Sequence, residues 1–126
     1  MKRIRVLGAI VLSLAASLAS ALEIKSYSPE LLAAAQAEGK PVVLHFHADW
    51  CPVCRVQEQV FDSLESDRSF AMTLLVVDYD KERELKRKLN VRAQSVVIVY
   101  RGKVETARLA GETSPEKLKT ALRSAL

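Results

Sequence analysis

The sequence predicts an α/β fold in which a central mixed β-sheet is flanked by helices on both faces. Two observations support this prediction. Short apolar runs bounded by turn residues, which are typical of buried strands, alternate with segments that carry helix-start signals. Near the end of the chain, two strand-like segments flank Arg101-Gly102-Lys103, which indicates an antiparallel hairpin. The 126 residues are enough for one domain and too few for two.

Five segments have the composition of strands. Three of them are apolar almost throughout, as expected for strands buried on both faces of a sheet. The first is short, and the last is expected to be an antiparallel edge strand. In chain order, the predicted strands cover residues 23–27, 41–46, 73–79, 96–100 and 104–109.

Four helices are expected between and after these strands. Ser28-Pro29-Glu30 and Ser114-Pro115-Glu116 share one start signal: a capping hydroxyl, a proline at the first helical position and an acid in the first turn. A charged helix is predicted at about residues 81–89. The helix after the cysteines has apolar residues at amphipathic spacing, so we expect its buried face to comprise Val53, Val56, Val60, Phe61 and Leu64.

The first 21 residues have the pattern of a secretory signal peptide. A basic start is followed by an uncharged stretch that ends in Ala19-Ser20-Ala21, an A-x-A cleavage signature. We therefore divide the chain into a signal peptide at 1–21 and a folded domain at 22–126. The predicted location is the periplasm or the medium after cleavage. The alternative is an uncleaved N-terminal membrane anchor, because the uncharged run approaches the length of a spanning helix.

Charge excludes nucleic acid as a partner. The net charge of +4 falls to about +1 without Lys2, Arg3 and Arg5, which lie in the predicted signal peptide. No basic patch interleaved with aromatic residues remains. An exported chain also meets an oxidising compartment, where paired cysteines are normally oxidised.

The two cysteines of the chain lie in the stretch "HFHADWCPVCR", directly after a predicted buried strand. Cys51 is expected at the start of a helix, where unpaired N–H groups and the helix dipole stabilise a thiolate. Pro52 suits the first helical position. Cys54 lies one turn further on, within reach of Cys51. Redox exchange, metal binding and a structural disulfide are the three possible roles, and the geometry fits a reversible dithiol.

The motif "ADWCPVC" after a buried strand, in this order of elements, resembles thioredoxin-like proteins. The resemblance covers residues 27–126. The segment "EGKPVVLHFHADWCPVC" is especially similar to bacterial periplasmic thiol–disulfide domains, such as the C-terminal thioredoxin domain of the DsbD electron transporter. The resemblance implies a thioredoxin-like fold and an exported thiol–disulfide oxidoreductase, on the reductase or isomerase side rather than the oxidase side.

The resemblance also implies roles for individual residues. Cys51 would be the exposed attacking thiolate, and Cys54 would resolve the mixed disulfide. Trp50 would cover the site, and Pro52 with Val53 would tune the thiolate. The expected partners are protein thiols and disulfides, together with a membrane electron donor or acceptor. No cofactor is expected beyond the redox-active disulfide.

Ser95 departs from the family pattern. Aligning "NVRAQSVVIVYRGK" with the family puts Ser95 where relatives carry a proline that is nearly always cis. Because non-proline cis bonds cost about 3–4 kcal/mol, we expect a trans bond before Ser95. The loop would then be locally rearranged, or the site would be open to a metal or cluster.

His45 is the second departure, since many family members carry a buried acid at this position. A histidine can also move a proton to or from the resolving thiol, with a pKa closer to neutrality, or it can be a packed core residue. His47 is expected to pack near the site. His45 and His47 alternate on a strand and so share a face. With Cys51 and Cys54 they offer an alternative function, a periplasmic module that binds zinc, copper or an iron–sulfur cluster.

Overall fold

The computed structural model describes residues 21–126, and its strands form one mixed sheet. The predicted signal peptide lies almost wholly outside the described residues. The strands agree with the sequence-based prediction to within a residue or two at each end. They are β1 (Glu23–Ser26), β2 (Pro41–His47), β3 (Thr73–Asp78), β4 (Val96–Arg101) and β5 (Val104–Ala110).

The helices begin where the sequence places caps. Ser28 and Ser114 accept hydrogen bonds from the backbone N–H three residues on, and a proline follows each of them. The predicted charged helix is confirmed but is shorter than 81–89, because its first residues form a turn. The helices are α1 (Pro29–Ala37), α2 (Pro52–Ser63), α3 (Arg83–Lys88) and α4 (Pro115–Arg123).

The sheet has the strand order β1-β3-β2-β4-β5, with β2 in the centre. Strand β3 is parallel to both β1 and β2, whereas β4 is antiparallel to β2 and to β5. Gly102, at φ +59°, turns the β4–β5 hairpin. The carboxyl ends of β1, β2 and β3 therefore meet at one edge, and the cysteines follow β2 at that edge.

Helices cover both faces of the sheet, as predicted. One face packs against α1 and α3 and is apolar, with Val42, Leu44 and Phe46 from β2 at its centre. The other face packs against α2 and α4, with Val43, Phe61 and Leu118 in its core. Successive residues of β2 alternate between the two faces, as strand geometry requires.

The buried face of α2 differs from the predicted one. Val56 is 41% exposed, and Val53 and Val60 are only partly buried. The buried residues are Cys54, Gln57 and Phe61, followed by Leu64. The prediction is confirmed for Phe61 and Leu64 and wrong for Val56, because it used apolar residues alone to define the buried face, which contains a polar residue, Gln57.

Within residues 21–126, no helix has both the length and the apolar character needed to cross a bilayer.

Candidate active site

Cys51 and Cys54 lie at the junction of β2 and α2. Cys51 caps the N-terminus of α2, and its Sγ accepts a hydrogen bond from the backbone N–H of Cys54 at 3.1 Å. Pro52 is the first helical residue, where a missing N–H leaves no hydrogen bond unmade. The cysteines form a disulfide with their Cα atoms 5.3 Å apart. The helix N-terminus stabilises negative charge, so in the reduced protein it favours the thiolate form of Cys51.

Both cysteines are buried in the disulfide form. Cys51 is 1% exposed and Cys54 is 0% exposed, so the expectation of an exposed Cys51 is wrong for this oxidation state. The pair packs with Ala48 and, at its margin, with Val53 and Tyr79. These neighbours limit access to the disulfide.

Trp50 is anchored to the segment that follows β3. Its indole N–H donates a hydrogen bond to Asp80 Oδ2 at 2.9 Å, and its ring lies edge-on to Tyr79 with centroids 6.5 Å apart. The residue is 54% exposed. Trp50 therefore presents a fixed aromatic surface next to Cys51.

His45 is buried on the face covered by α2. It is 1% exposed, and its Nε2 lies 2.9 Å from Gln57 Oε1. Burial lowers the pKa of His45 to about 4, the hydrogen bond to Gln57 opposes this shift, and nearby His47 adds to it. The expectation of a pKa nearer neutrality is therefore wrong for the disulfide form, and His45 is neutral at pH 7.

Gln57 connects His45 to two loops. Its Nε2 donates hydrogen bonds to the carbonyl oxygens of Ser95 and Glu112, both at 3.0 Å. These bonds use both amide hydrogens, so Oε1 faces His45 and can only accept. Neutral His45 must then carry its proton on Nε2.

Ser95 has the trans peptide bond that the sequence predicts, and its φ is +63°. The left-handed conformation costs about 1–2 kcal/mol for a residue with a side chain. Three hydrogen bonds hold it in place: its N–H donates to Phe46 O at 2.9 Å, and its carbonyl oxygen accepts from Gly111 N and Gln57 Nε2. Cys54 Sγ lies 3.8 Å from the same Phe46 oxygen. Ser95 therefore borders the cysteines, as its position in the family pattern implies.

His47 shares a face with His45, as predicted. Their ring centroids are 5.5 Å apart. His47 Nε2 lies 3.3 Å from Glu58 Oε2 without the alignment of a hydrogen bond. A cavity of about 30 Å³, large enough to hold a water molecule, is lined by these two histidines and by Glu58 and Asp62. Burial raises the pKa of Asp62 above its ordinary value.

The alternative metal ligands do not converge. Cys51, Cys54, His45 and His47 all lie in the described part of the chain, and within that part no three His, Cys, Asp or Glu side chains are placed to hold an ion. The two sulfurs form a disulfide with each other, and His45 Nε2 is hydrogen-bonded to Gln57. The geometry therefore favours a dithiol pair over a metal centre.

Gln57 is the site residue that the sequence reasoning missed. A polar residue in an amphipathic helix is normally assigned to the solvent side, yet Gln57 is 0% exposed. One signal was available: Gln57 lies three residues after Cys54 and four before Phe61, which is the spacing of a single helix face.

Comparison with known proteins shows which family this chain matches. The profile of the thioredoxin family matches residues 19–124. The chain is similar to Thioredoxin H2-1 of Oryza sativa subsp. japonica, with 33% identity over 100 residues, which are 79% of this chain and 72% of that protein. It is also similar to Thioredoxin 2 of Plasmodium falciparum, with 36% identity over 67 residues, which cover 53% of this chain and 43% of that protein.

A solved structure supports the fold. The crystal structure of Trxlp from Edwardsiella tarda EIB202 superimposes with a TM-score of 0.75 at 35% identity, covering 79% of this chain and 98% of that chain. The finer similarity to periplasmic domains stays a prediction.

Proposed function

Because the chain belongs to the thioredoxin family, we propose that its Cys51–Cys54 pair reduces or isomerises disulfides in exported proteins. The family and the disulfide make the chain a thiol–disulfide oxidoreductase that acts on protein disulfides. The direction of electron flow, the compartment and the group that moves the proton are the proposed parts.

The buried imidazole that is hydrogen-bonded to α2, the helix that carries the cysteines, is the observation that carries the proposal. His45 precedes Phe46, whose carbonyl oxygen lies 3.8 Å from Cys54 Sγ, and its partner Gln57 is one helical turn beyond Cys54. At neutral pH His45 is unprotonated and can accept a proton. The reducing direction needs a base here, because Cys54 must lose its proton before it can attack a mixed disulfide.

The exchange proceeds in two steps. The Cys51 thiolate attacks one sulfur of the substrate disulfide and forms a mixed disulfide, and the other substrate sulfur leaves as a thiolate. His45, directly or through one water, then takes the proton of the Cys54 thiol. The Cys54 thiolate attacks Cys51 Sγ, and the second substrate sulfur leaves and takes up that proton. Two electrons pass to the substrate, and the Cys51–Cys54 disulfide is restored.

Export is proposed from the signal-peptide pattern of residues 1–21. An exported reductant needs a membrane electron donor, because the cytosolic reducing systems do not reach it. Mass spectrometry of the protein isolated from the cell envelope and the medium should give an N-terminus at Leu22. A full-length protein found in the cytosol would contradict this part of the proposal.

Serine substitution of each cysteine tests the chemistry. Cys51→Ser should abolish reduction of a disulfide-bonded peptide, because the attacking sulfur is lost. Cys54→Ser should instead accumulate mixed disulfides with the peptide, which are visible by mass spectrometry. The two variants serve as controls for each other, because each replaces one sulfur atom with oxygen, at positions one helical turn apart. Full activity in both would overturn the assignment.

The equilibrium potential of the cysteine pair tests the direction. Thiol labelling across a glutathione series measures it in the mature protein. A potential near that of thioredoxin, about −270 mV, is expected for a reductant. A potential near about −120 mV would make the pair an oxidant and contradict the proposed direction.

A further inference from the structure

Three buried polar residues occur in the described part of the chain, and they belong to one network. His45, Gln57 and Ser95 are 1%, 0% and 6% exposed. Gln57 lies at the centre and bonds to both of the others. Buried polar side chains are costly unless they are hydrogen-bonded, and both polar atoms of the Gln57 side chain have partners. Gln57 is therefore held in one orientation, one helical turn beyond Cys54.

We propose that Gln57 is a positioning residue for disulfide exchange: its amide keeps the proton of neutral His45 on Nε2 and ties the imidazole to the Ser95 backbone. The inference rests on the proposed proton transfer by His45. The positioning role of Gln57 goes beyond that proton transfer, because it identifies the group that decides which nitrogen of the His45 ring acts as the base.

The amide orientation follows from the acceptors around it. If the Gln57 amide were rotated by 180°, its oxygen would face the carbonyl oxygens of Ser95 and Glu112, and two hydrogen bonds would become repulsive contacts. The two backbone carbonyls thus fix the amide, and the amide fixes His45. Nδ1 is then the nitrogen of neutral His45 with a free lone pair.

Three other titratable groups lie near His45. His47 faces it from β2, while Glu58 and Asp62 from α2 border the shared cavity. Strands β1 and β3 contribute only Ile24, Leu74 and Val76 to that cavity. The hydrogen bond to Gln57 raises the pKa of His45, against the lowering by burial and by His47.

Two substitutions of similar size separate positioning from packing. Gln57→Met removes the acceptor, so the His45 pKa should fall further and the preference for the Nε2–H form should be lost. Gln57→Glu places a carboxylate against the ring, so the His45 pKa should rise by about one unit or more. Both variants lose the bonds to Ser95 and Glu112, so a purely structural role would change both in the same direction. Gln59→Met is the matched control, because Gln59 is exposed on the same helix.

Imidazole ¹⁵N NMR of the protein reports the tautomer and the titration of His45. The wild type should show the Nε2–H form, and a proton on Nδ1 would overturn the proposal without any variant. An unchanged His45 spectrum in Gln57→Met would also overturn it.

The resolving step gives the functional readout. Reduced protein attacks an aromatic disulfide reagent through Cys51, and Cys54 then releases the second coloured thiolate, which is followed by absorbance against pH. The acid limb of this rate should move to lower pH in Gln57→Met and to higher pH in Gln57→Glu, and the Gln57→Met plateau should fall by about tenfold or more. Equal shifts in one direction would overturn the proposal.

His45→Ala distinguishes failure of this inference from failure of the proposed function. If His45→Ala leaves the pH profile unchanged, the proton transfer by His45 is wrong. If His45→Ala changes the profile and the two Gln57 variants do not, the function stands and the positioning role of Gln57 is wrong.

Discussion

Two adjacent residues of β2 show how differently the two faces of the sheet are used. Phe46 points to the face covered by α1 and α3, where its neighbours are apolar. His45 points to the face covered by α2, where it contacts Phe61 and bonds to Gln57. Both side chains are buried, at 0% and 1% exposure, but one contributes only apolar burial, whereas the other places a hydrogen-bonded polar ring against α2.

Adjacent residues of one strand therefore serve different purposes: Phe46 contributes to stability, and His45 to the proposed chemistry. Burying an uncharged imidazole costs desolvation free energy, and a single hydrogen bond offsets only part of that cost. Apolar burial on both faces of the sheet offsets that cost, so the fold tolerates a buried histidine in β2. Each of the following experiments alters one side of this comparison.

Phe46→Ala should have the largest effect on stability. Removing a fully buried aromatic ring costs about 3–5 kcal/mol of unfolding free energy, which urea denaturation at pH 7 measures. The pH dependence of disulfide exchange in the protein that remains folded should match the wild type. A shifted pH profile in Phe46→Ala would mean that the two faces are not functionally separate.

Ser95→Pro should have the next largest effect. Proline fixes φ near −65°, whereas Ser95 has φ +63°, and proline lacks the N–H that donates to Phe46 O. We expect a loss of about 3 kcal/mol in unfolding free energy, measured by denaturation together with the rate of disulfide reduction. Ser95→Gly is the control, because glycine accepts this φ and should be tolerated. A Ser95→Pro variant as stable as the wild type would show that the loop can rearrange freely.

Lowering the pH should reduce the unfolding free energy by a smaller and graded amount. His45 has a folded pKa of about 4, below its unfolded value near 6.5, so the unfolded chain binds the proton first as pH falls. Stability is therefore full above about pH 6.5 and declines toward pH 4, by about 2 kcal/mol between pH 7 and pH 5. Denaturation at several pH values measures this slope. His45→Ala should flatten the slope, and an equal slope in that variant would assign it to other groups.

Local patterns explain what the sequence could predict. Apolar runs, hydroxyl caps and proline at helix starts act within a few residues, so the strands, the helices and the junction that carries Cys51 and Cys54 were predicted. The shared face of His45 and His47 also follows from strand alternation.

The long-range hydrogen bonds could not be predicted in the same way. Gln57 meets Ser95 across 38 positions of sequence, and Trp50 meets Asp80 across 30. Each side chain alone suits the protein surface, and only the tertiary fold supplies its partner. The pKa of His45 was missed for the same reason, since its main cause is burial by elements far away in the sequence.

The hydrogen bond between His45 and Gln57 also restricts how this site can evolve. An ionised aspartate introduced by His45→Asp would face the Gln57 oxygen, acceptor against acceptor. Rotating the Gln57 amide would break the bonds to Ser95 and Glu112 instead. We therefore expect substitutions at positions 45 and 57 to have non-additive effects, because the two side chains share one hydrogen bond.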